Sequence, residues 1–187
     1  MDRIERVSSQ VAYRNNWMTL REDVVRRPDG TEGIYAFVDK PTFALVIPRS
    51  TTDEGERFQL VEQFRYPVGM RSWEFPQGTA PGQVEMDGVE LAAHELQEET
   101  GLTAGTMTAL GFIDIAPGMS SQRGQVFVAT DLTEGEPDRE HEEQDMRSAW
   151  FGRAEMEQMM RDGRLTDAQT LAGWALYLLH ERSTGNA

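Results

Sequence analysis

Apolar positions along the chain fall into short runs punctuated by Gly, Pro and Asp. Residues 17–26 (WMTLREDVVR), 34–39 (IYAFVD), 43–48 (FALVIP), 58–64 (FQLVEQF) and 73–76 (WEFP) read as strands. Pro28-Asp29-Gly30 and Asp53-Glu54-Gly55-Glu56 are the turns between them. FALVI is apolar without alternation, the pattern of a strand buried on both faces. Residues 1–16 carry weak signal, and a hairpin over 17–39 is marginal alone and wants a second surface to cover it. Further on, 107–115, 125–130 and 146–151 predict strands, the first two joined by 116–124. Three stretches predict helices instead. Asp87 caps the first, with Glu90 completing a capping box, Val89, Ala93, Leu96 and Thr100 as the inward stripe, and Gly101 just past its end. Residues 155–161 form a short second helix, ended by Gly163. Thr166 or Asp167 caps the third, over 168–180, with Leu171, Ala175, Leu178 and Leu179 inward. Strands interleaved with three helices predict an α/β protein with a mixed sheet.

Composition narrows what such a fold does. The 187 residues suffice for one domain with a sizeable core and an appendage. No run of about 18 apolar residues is present, so no membrane span is expected, and MDRIERVSSQ lacks an apolar signal region. Zero cysteines exclude disulfides and thiolate metal sites, which fits a cytoplasmic protein. A net charge of −14 disfavours nucleic acid or an anionic membrane as partner. A polyanionic substrate then needs local help from arginine and metal.

The stretch 78–102 (GTAPGQVEMDGVELAAHELQEETGL) carries the chemistry. On a helix Glu95, Glu98 and Glu99 stand at i, i+3 and i+4 and share one face, where like charges repel. Such a face is either simply solvated or arranged for hard cations; Mg²⁺ needs few protein carboxylates when phosphates supply the remaining oxygens. A short strand, a Gly/Pro loop from Gln77-Gly78 and then this acidic helix make a phosphate-and-metal arrangement.

The segment resembles the Nudix box, Gly-x5-Glu-x7-Arg-Glu-hydrophobic-x-Glu-Glu-x-Gly-hydrophobic, the signature of hydrolases of diphosphates linked to another moiety. Glu95, Leu96, Glu98, Glu99, Gly101 and Leu102 match; His94 stands where the box has Arg. Gly78 lies 16 residues before His94 rather than 14, and the box's first Glu is absent (Met86 falls there) or displaced to Glu85. Beyond the box, Trp17, Pro28-Asp29-Gly30, Tyr35, Val61-Glu62-Gln63-Phe64-Arg65, Glu74-Phe75-Pro76-Gln77-Gly78, Pro117-Gly118 and Thr166-Asp167-Ala168 follow the order of the ADP-ribose/ADP-sugar pyrophosphatase branch. Pro117, 16 positions after Gly101, is similar to the proline that marks ADP-ribose hydrolases.

The resemblance implies an α/β/α Nudix sandwich over 41–187, preceded by a β region over 1–40 that pairs two subunits into a swapped homodimer. It implies a Mg²⁺ site, with Mn²⁺ as the alternative metal, held by Glu95, Glu98, Glu99 and the backbone carbonyl of Gln77. The metals polarise phosphoryl oxygens and acidify bound water. The polar stretch 133–145 reads either as disordered or as a functional loop; the resemblance places a catalytic Glu there, and of Glu140, Glu142 and Glu143 the alignment through Asp145-Met146 favours Glu142, with Glu143 one register away. Arg65 matches the arginine that contacts substrate phosphates, and its bland reading is a surface ion pair. Trp17 and Tyr35 match the aromatics that stack adenine, or serve as interface or core residues. His94 is either a satisfied helix histidine or a proton-dependent partner of Glu98. Three functions stay open: ADP-ribose hydrolysis to AMP and ribose 5-phosphate; hydrolysis of another diphosphate, such as GDP-mannose or UDP-glucose; and a non-catalytic Nudix-like module that binds a nucleotide or a protein.

Overall fold

A computed structural model describes residues 3–80, 82, 84, 86–139 and 141–185, with the side chain of residue 142 outside that description. Glu85 and Glu140, two of the glutamates weighed above, are not among the described residues.

The chain opens with three strands, β1 (Glu5–Arg14), β2 (Thr19–Arg26) and β3 (Glu32–Asp39), in an antiparallel sheet of that order. β1 is a strand that the sequence pattern does not reveal, as is the two-residue strand Gln77–Gly78, which the pattern reads as the start of a loop. Register shifts between Arg6 and Ser8 and between Val11 and Tyr13 break the period-two alternation of β1, and nearly all of β1 is exposed. β2 buries Thr19, Asp23 and Val25. The small sheet is tied to the rest of the chain along β3: Val38 bridges Ser120, and the Ser121 hydroxyl donates to Asp39 at 2.9 Å.

The main sheet has seven strands. β4 (Phe43–Thr52), β5 (Gly55–Arg65), β6 (Met70–Glu74), β7 (Gln77–Gly78), β8 (Thr103–Asp114), β9 (Arg123–Thr133) and β10 (Arg147–Gly152) form it, with β10-β5-β4-β9-β8 as the main path and β6 and β7 paired to β5 and β4. Only β4 and β9 run parallel; the other pairs are antiparallel, so the sheet is mixed as the pattern predicts.

β4 shows why its sequence is uninterrupted. Phe43, Leu45 and Ile47 face one core with Phe58, Leu60, Phe75, Met156 and Trp174, while Ala44 and Val46 face a second core with Leu91, Ala92, Leu96 and Phe127. Helix α1 (Gly88–Thr100) covers the second face; α2 (Arg153–Arg161) and α3 (Ala168–Thr184) cover the first. This is the expected α/β/α sandwich with a small N-terminal sheet.

Two helical faces differ from expectation. In α1 the inward apolar residues are Leu91, Ala92 and Leu96, with Thr100, while Val89 is 47% exposed and Ala93 is also exposed. α3 buries Thr170, Gly173, Trp174 and Tyr177, with Leu178 only partly buried; Leu171, Ala175 and Leu179 face outward. The leucine stripe is not the buried one, because two aromatics stacked 5.1 Å apart bury more surface than the leucines would. Gly173 permits that packing by admitting Leu45 against the helix.

Candidate active site

α1 begins and ends as its sequence dictates. The Asp87 carboxylate accepts from the backbone N–H groups of Val89 and Glu90, at 3.0 and 3.3 Å, and Gly101 closes the helix at φ +78°. A side chain at Gly101 would meet the backbone of Gly135. Burying Leu91, Ala92 and Leu96 against β4 fixes the rotation of the helix. Glu95, Glu98 and Glu99 are thereby carried to the edge of the sheet at β7, nearly buried at 7%, 9% and 1% exposure.

Glu99 is the deepest. Its Oε2 accepts from the Gln77 backbone N–H at 3.2 Å, and its Oε1 has no hydrogen-bond partner. Burial, then the charges of Glu95 and Glu143, push its carboxyl well above the ordinary carboxylate range. Gly78 lets the Glu95 carboxylate lie against its backbone, where a Cβ would displace it. Gln77 donates from Nε2 to Glu74 and Asp167, both at 3.2 Å, and its own Oε1 is buried without a partner. His94 Nδ1 lies 3.0 Å from Glu98 Oε2, so the residue at the box arginine's position does partner a box glutamate.

These groups open onto a cavity of about 750 Å³. Glu95, Glu98 and Glu143 line it, as do Trp17, Lys40 and Arg65. Arg65 grips the buried Glu74 through Nε at 2.9 Å and Nη2 at 2.5 Å. Lys40 is a residue the sequence did not single out. Burial, and then the neighbouring Arg65 charge, pull its ammonium below the usual lysine range. A lysine between Asp39 and Pro41 carries no motif; only the end of β3 brings it to the cavity. Two cations beside three carboxylates can take a phosphate chain on one side and divalent cations on the other.

The remaining expected residues divide. Tyr35 and Pro117 do not line this cavity. Tyr35 instead donates its hydroxyl to the Gly118 carbonyl at 2.8 Å, joining β3 to the loop that holds Pro117. Glu142 has a described backbone in the 3₁₀ turn 141–143, but its side chain is not described. Among the described residues no three His, Asp or Glu groups are already gathered at metal-ligand spacing. The donor set nonetheless fits a hard cation, since the orphaned Glu99 oxygen and the mutual repulsion of buried glutamates are both relieved by a divalent ion.

Comparison with known proteins agrees with this geometry. Residues 4–38 match the model of a nucleoside diphosphate sugar hydrolase N-terminal domain, and residues 40–172 match the NUDIX domain. The chain is 35% identical to an ADP-ribose pyrophosphatase of Mycobacterium tuberculosis, over 98% of this chain and 86% of that protein. It is 29% identical to an ADP-ribose pyrophosphatase of Bacillus subtilis, over 73% and 71%. A crystal structure of an ADP compounds hydrolase superposes with a TM-score of 0.80 at 20% identity, covering 98% of this chain and 97% of that one, a likeness of fold. Among the described residues, no helix is long and apolar enough to cross a membrane. The sandwich, the buried glutamate helix and these matches together make the chain a member of the Nudix hydrolase family.

Proposed function

We propose that the chain hydrolyses the diphosphate of a nucleoside diphosphate sugar, with ADP-ribose, cleaved to AMP and ribose 5-phosphate, as its substrate. The observation that carries this reading is that Arg65 and Lys40 line the same cavity as Glu95, Glu98 and Glu143. The two ADP-ribose pyrophosphatase relatives support the choice of substrate.

Glu95, Glu98, Glu99 and the Gln77 carbonyl hold Mg²⁺, or Mn²⁺, in this reading. Bound there, the metal supplies Lewis acidity toward the phosphoryl oxygens. Lys40 and Arg65 place the diphosphate, with Glu74 holding the Arg65 fork in a fixed plane. Trp17, 62% exposed at the cavity, offers a face on which the base stacks. A carboxylate of the 133–145 stretch, Glu142 or Glu143, accepts the proton of the attacking water.

Residues 1–40 act as a dimerisation region ahead of the catalytic unit 41–187. The exposed Val7, Val11, Tyr13 and Ile34 of the small sheet support this; Tyr35 and Pro117, which lie outside this chain's own cavity, would then reach the partner subunit's nucleotide site. The cysteine-free sequence supports a cytoplasmic setting. Deleting 1–40 should abolish dimerisation; a wild-type monomer in sedimentation at micromolar concentration would contradict the swapped assembly.

The test of function is turnover of a panel (ADP-ribose, ADP-glucose, GDP-mannose, UDP-glucose) with Mg²⁺, products separated by chromatography. ADP-ribose should give the highest kcat/KM. Preference for a guanine or uracil substrate would reassign the base pocket, and no turnover would leave a binding module.

A further inference from the structure

We propose that Arg139 is a positioning residue, whose guanidinium ties the acidic loop to the C-terminal turn of α1 and so holds Glu143 against the glutamates of that helix. The proposal rests on the active-site reading above.

A helix leaves its last carbonyls without intrahelical donors. In α1 two of these belong to Glu98 and Glu99, and the acidic loop takes both. The Asp138 backbone N–H donates to the Glu98 carbonyl at 3.0 Å, and Arg139 Nε donates to the Glu99 carbonyl at 3.0 Å. Arg139 Nη1 then donates to the Met146 carbonyl, just before β10, at 2.5 Å. One guanidinium thus spans from the end of α1 to the start of β10. Gln144 donates from Nε2 to the Arg139 carbonyl at 2.8 Å, closing the loop on itself. The last turn of α1 has no basic residue of its own, so Arg139 also supplies the cation that a helix C-terminus favours.

The reference points matter. The residues whose backbone oxygens receive the loop, Glu98 and Glu99, are two of the three glutamates that α1 carries to the site. Any shift of α1 carries the loop with it. At the far end Arg71 donates to the Asp145 carboxylate at 2.7 Å and to its carbonyl at 2.9 Å. Between the two arginines lies the 3₁₀ turn 141–143, from which Glu143 lines the cavity alongside Glu95 and Glu98. A loop rich in acidic residues would be driven from the acidic helix by its own charge. A cation bonded to neutral carbonyls holds it there without occupying a carboxylate the reaction needs.

The experiment compares wild type, Arg139→Ala and Arg139→Lys as full chains. Hydrogen exchange of the Asp138 amide and the amides of 141–146 is read in metal-free protein. kcat and KM for ADP-ribose are read with Mg²⁺. In Arg139→Ala these amides should lose protection, kcat should fall by about 10²-fold, as for a misplaced catalytic group, and KM should stay within about twofold. Millimolar guanidinium should restore part of the lost kcat. Lysine keeps the charge but cannot bridge both carbonyls, so Arg139→Lys should fall between the two. Wild-type protection and wild-type kcat in Arg139→Ala would overturn the proposal. If that variant does not fold, a folded Arg139→Lys decides in the same way. A wild type that hydrolyses no nucleotide diphosphate would refute the active-site reading, while the exchange data still decide whether Arg139 holds the loop.

Discussion

Two clusters of carboxylates, one partly and one almost fully buried, sit on opposite faces of the main sheet, and they are treated in opposite ways. On the α2/α3 face, Glu56 and Glu181 are saturated with donors. Arg153 Nη2 reaches Glu56 at 2.6 Å and Glu181 at 2.5 Å, Arg49 adds a bond to Glu56 at 2.6 Å, and the Tyr177 hydroxyl donates to Glu181 at 2.8 Å. Arg153 also lies 5.2 Å from the Trp174 ring. On the α1 face, Glu95, Glu98 and Glu99 have Glu143 as a further acidic neighbour, and one Glu99 oxygen has no hydrogen-bond partner among the described residues. The consequences appear in the two carboxyls. Burial would raise Glu56, but the hydrogen bonds from Arg153 and Arg49 outweigh it and hold the group below its ordinary range. Burial and like charge both raise Glu99. The first cluster closes the fold. The second gathers like charge, and in the function proposed above a divalent ion would complete it.

The largest effects should come from the α1 cluster. Glu98→Gln or Glu99→Gln should lower kcat by about 10²-fold or more while the metal-free protein melts no lower than wild type. Equal turnover by a folded variant would remove the helix from the mechanism. Next in size is the loop. Gln at the catalytic position keeps the shape and loses the basicity, so Glu142→Gln should cut kcat by about 10²-fold with little change in metal or substrate affinity. If Glu143→Gln carries that loss instead, the base stands one residue later, on the side chain that lines the cavity.

The compensated cluster should answer in the opposite currency. Arg153→Ala leaves Glu56 and Glu181 short of donors and should destabilise by about 2 kcal/mol, since the pair is only partly buried, with kcat nearly unchanged; chemical denaturation measures the first and steady-state kinetics the second. A large kcat loss at wild-type stability would erase the contrast between the faces. The smallest effect concerns pH. Because the folded Glu56 carboxyl lies below its unfolded value of about 4.3, its stabilisation is complete above that pH and is lost as pH falls through the folded value. Melting curves of Glu56→Gln should therefore show a shallower acid limb than wild type below about pH 4.

The contrast also explains what could be read in the residues beforehand. The acidic helix was legible because local signals framed it: Asp87 before it, Gly101 after it and Glu-x-x-Glu-Glu between. β4 was legible because a strand buried on both faces has no polar positions. Other features depend on partners distant in the chain. β1 hides behind two register shifts. The inward face of α3 is set by Trp174 and Tyr177 packing on Phe58, whose ring centres lie 5.0 and 5.4 Å away, and not by the more numerous leucines. Lys40 reaches the cavity only through the path of β3. Arg139 binds backbone carbonyls 40 and 7 residues away, and a carbonyl leaves no trace in residue type. The Glu56 and Glu181 pairing, 125 residues apart, was likewise invisible, so the sequence showed one acidic cluster where the fold builds two.

The central claim, that the clustered glutamates of α1 are completed by a divalent ion, is tested most directly by Mn²⁺ binding followed by electron paramagnetic resonance. Wild type and Glu56→Gln should bind Mn²⁺ alike, and Glu99→Gln should lose about tenfold or more in affinity. Unchanged Mn²⁺ affinity in a folded Glu99→Gln variant would contradict the account.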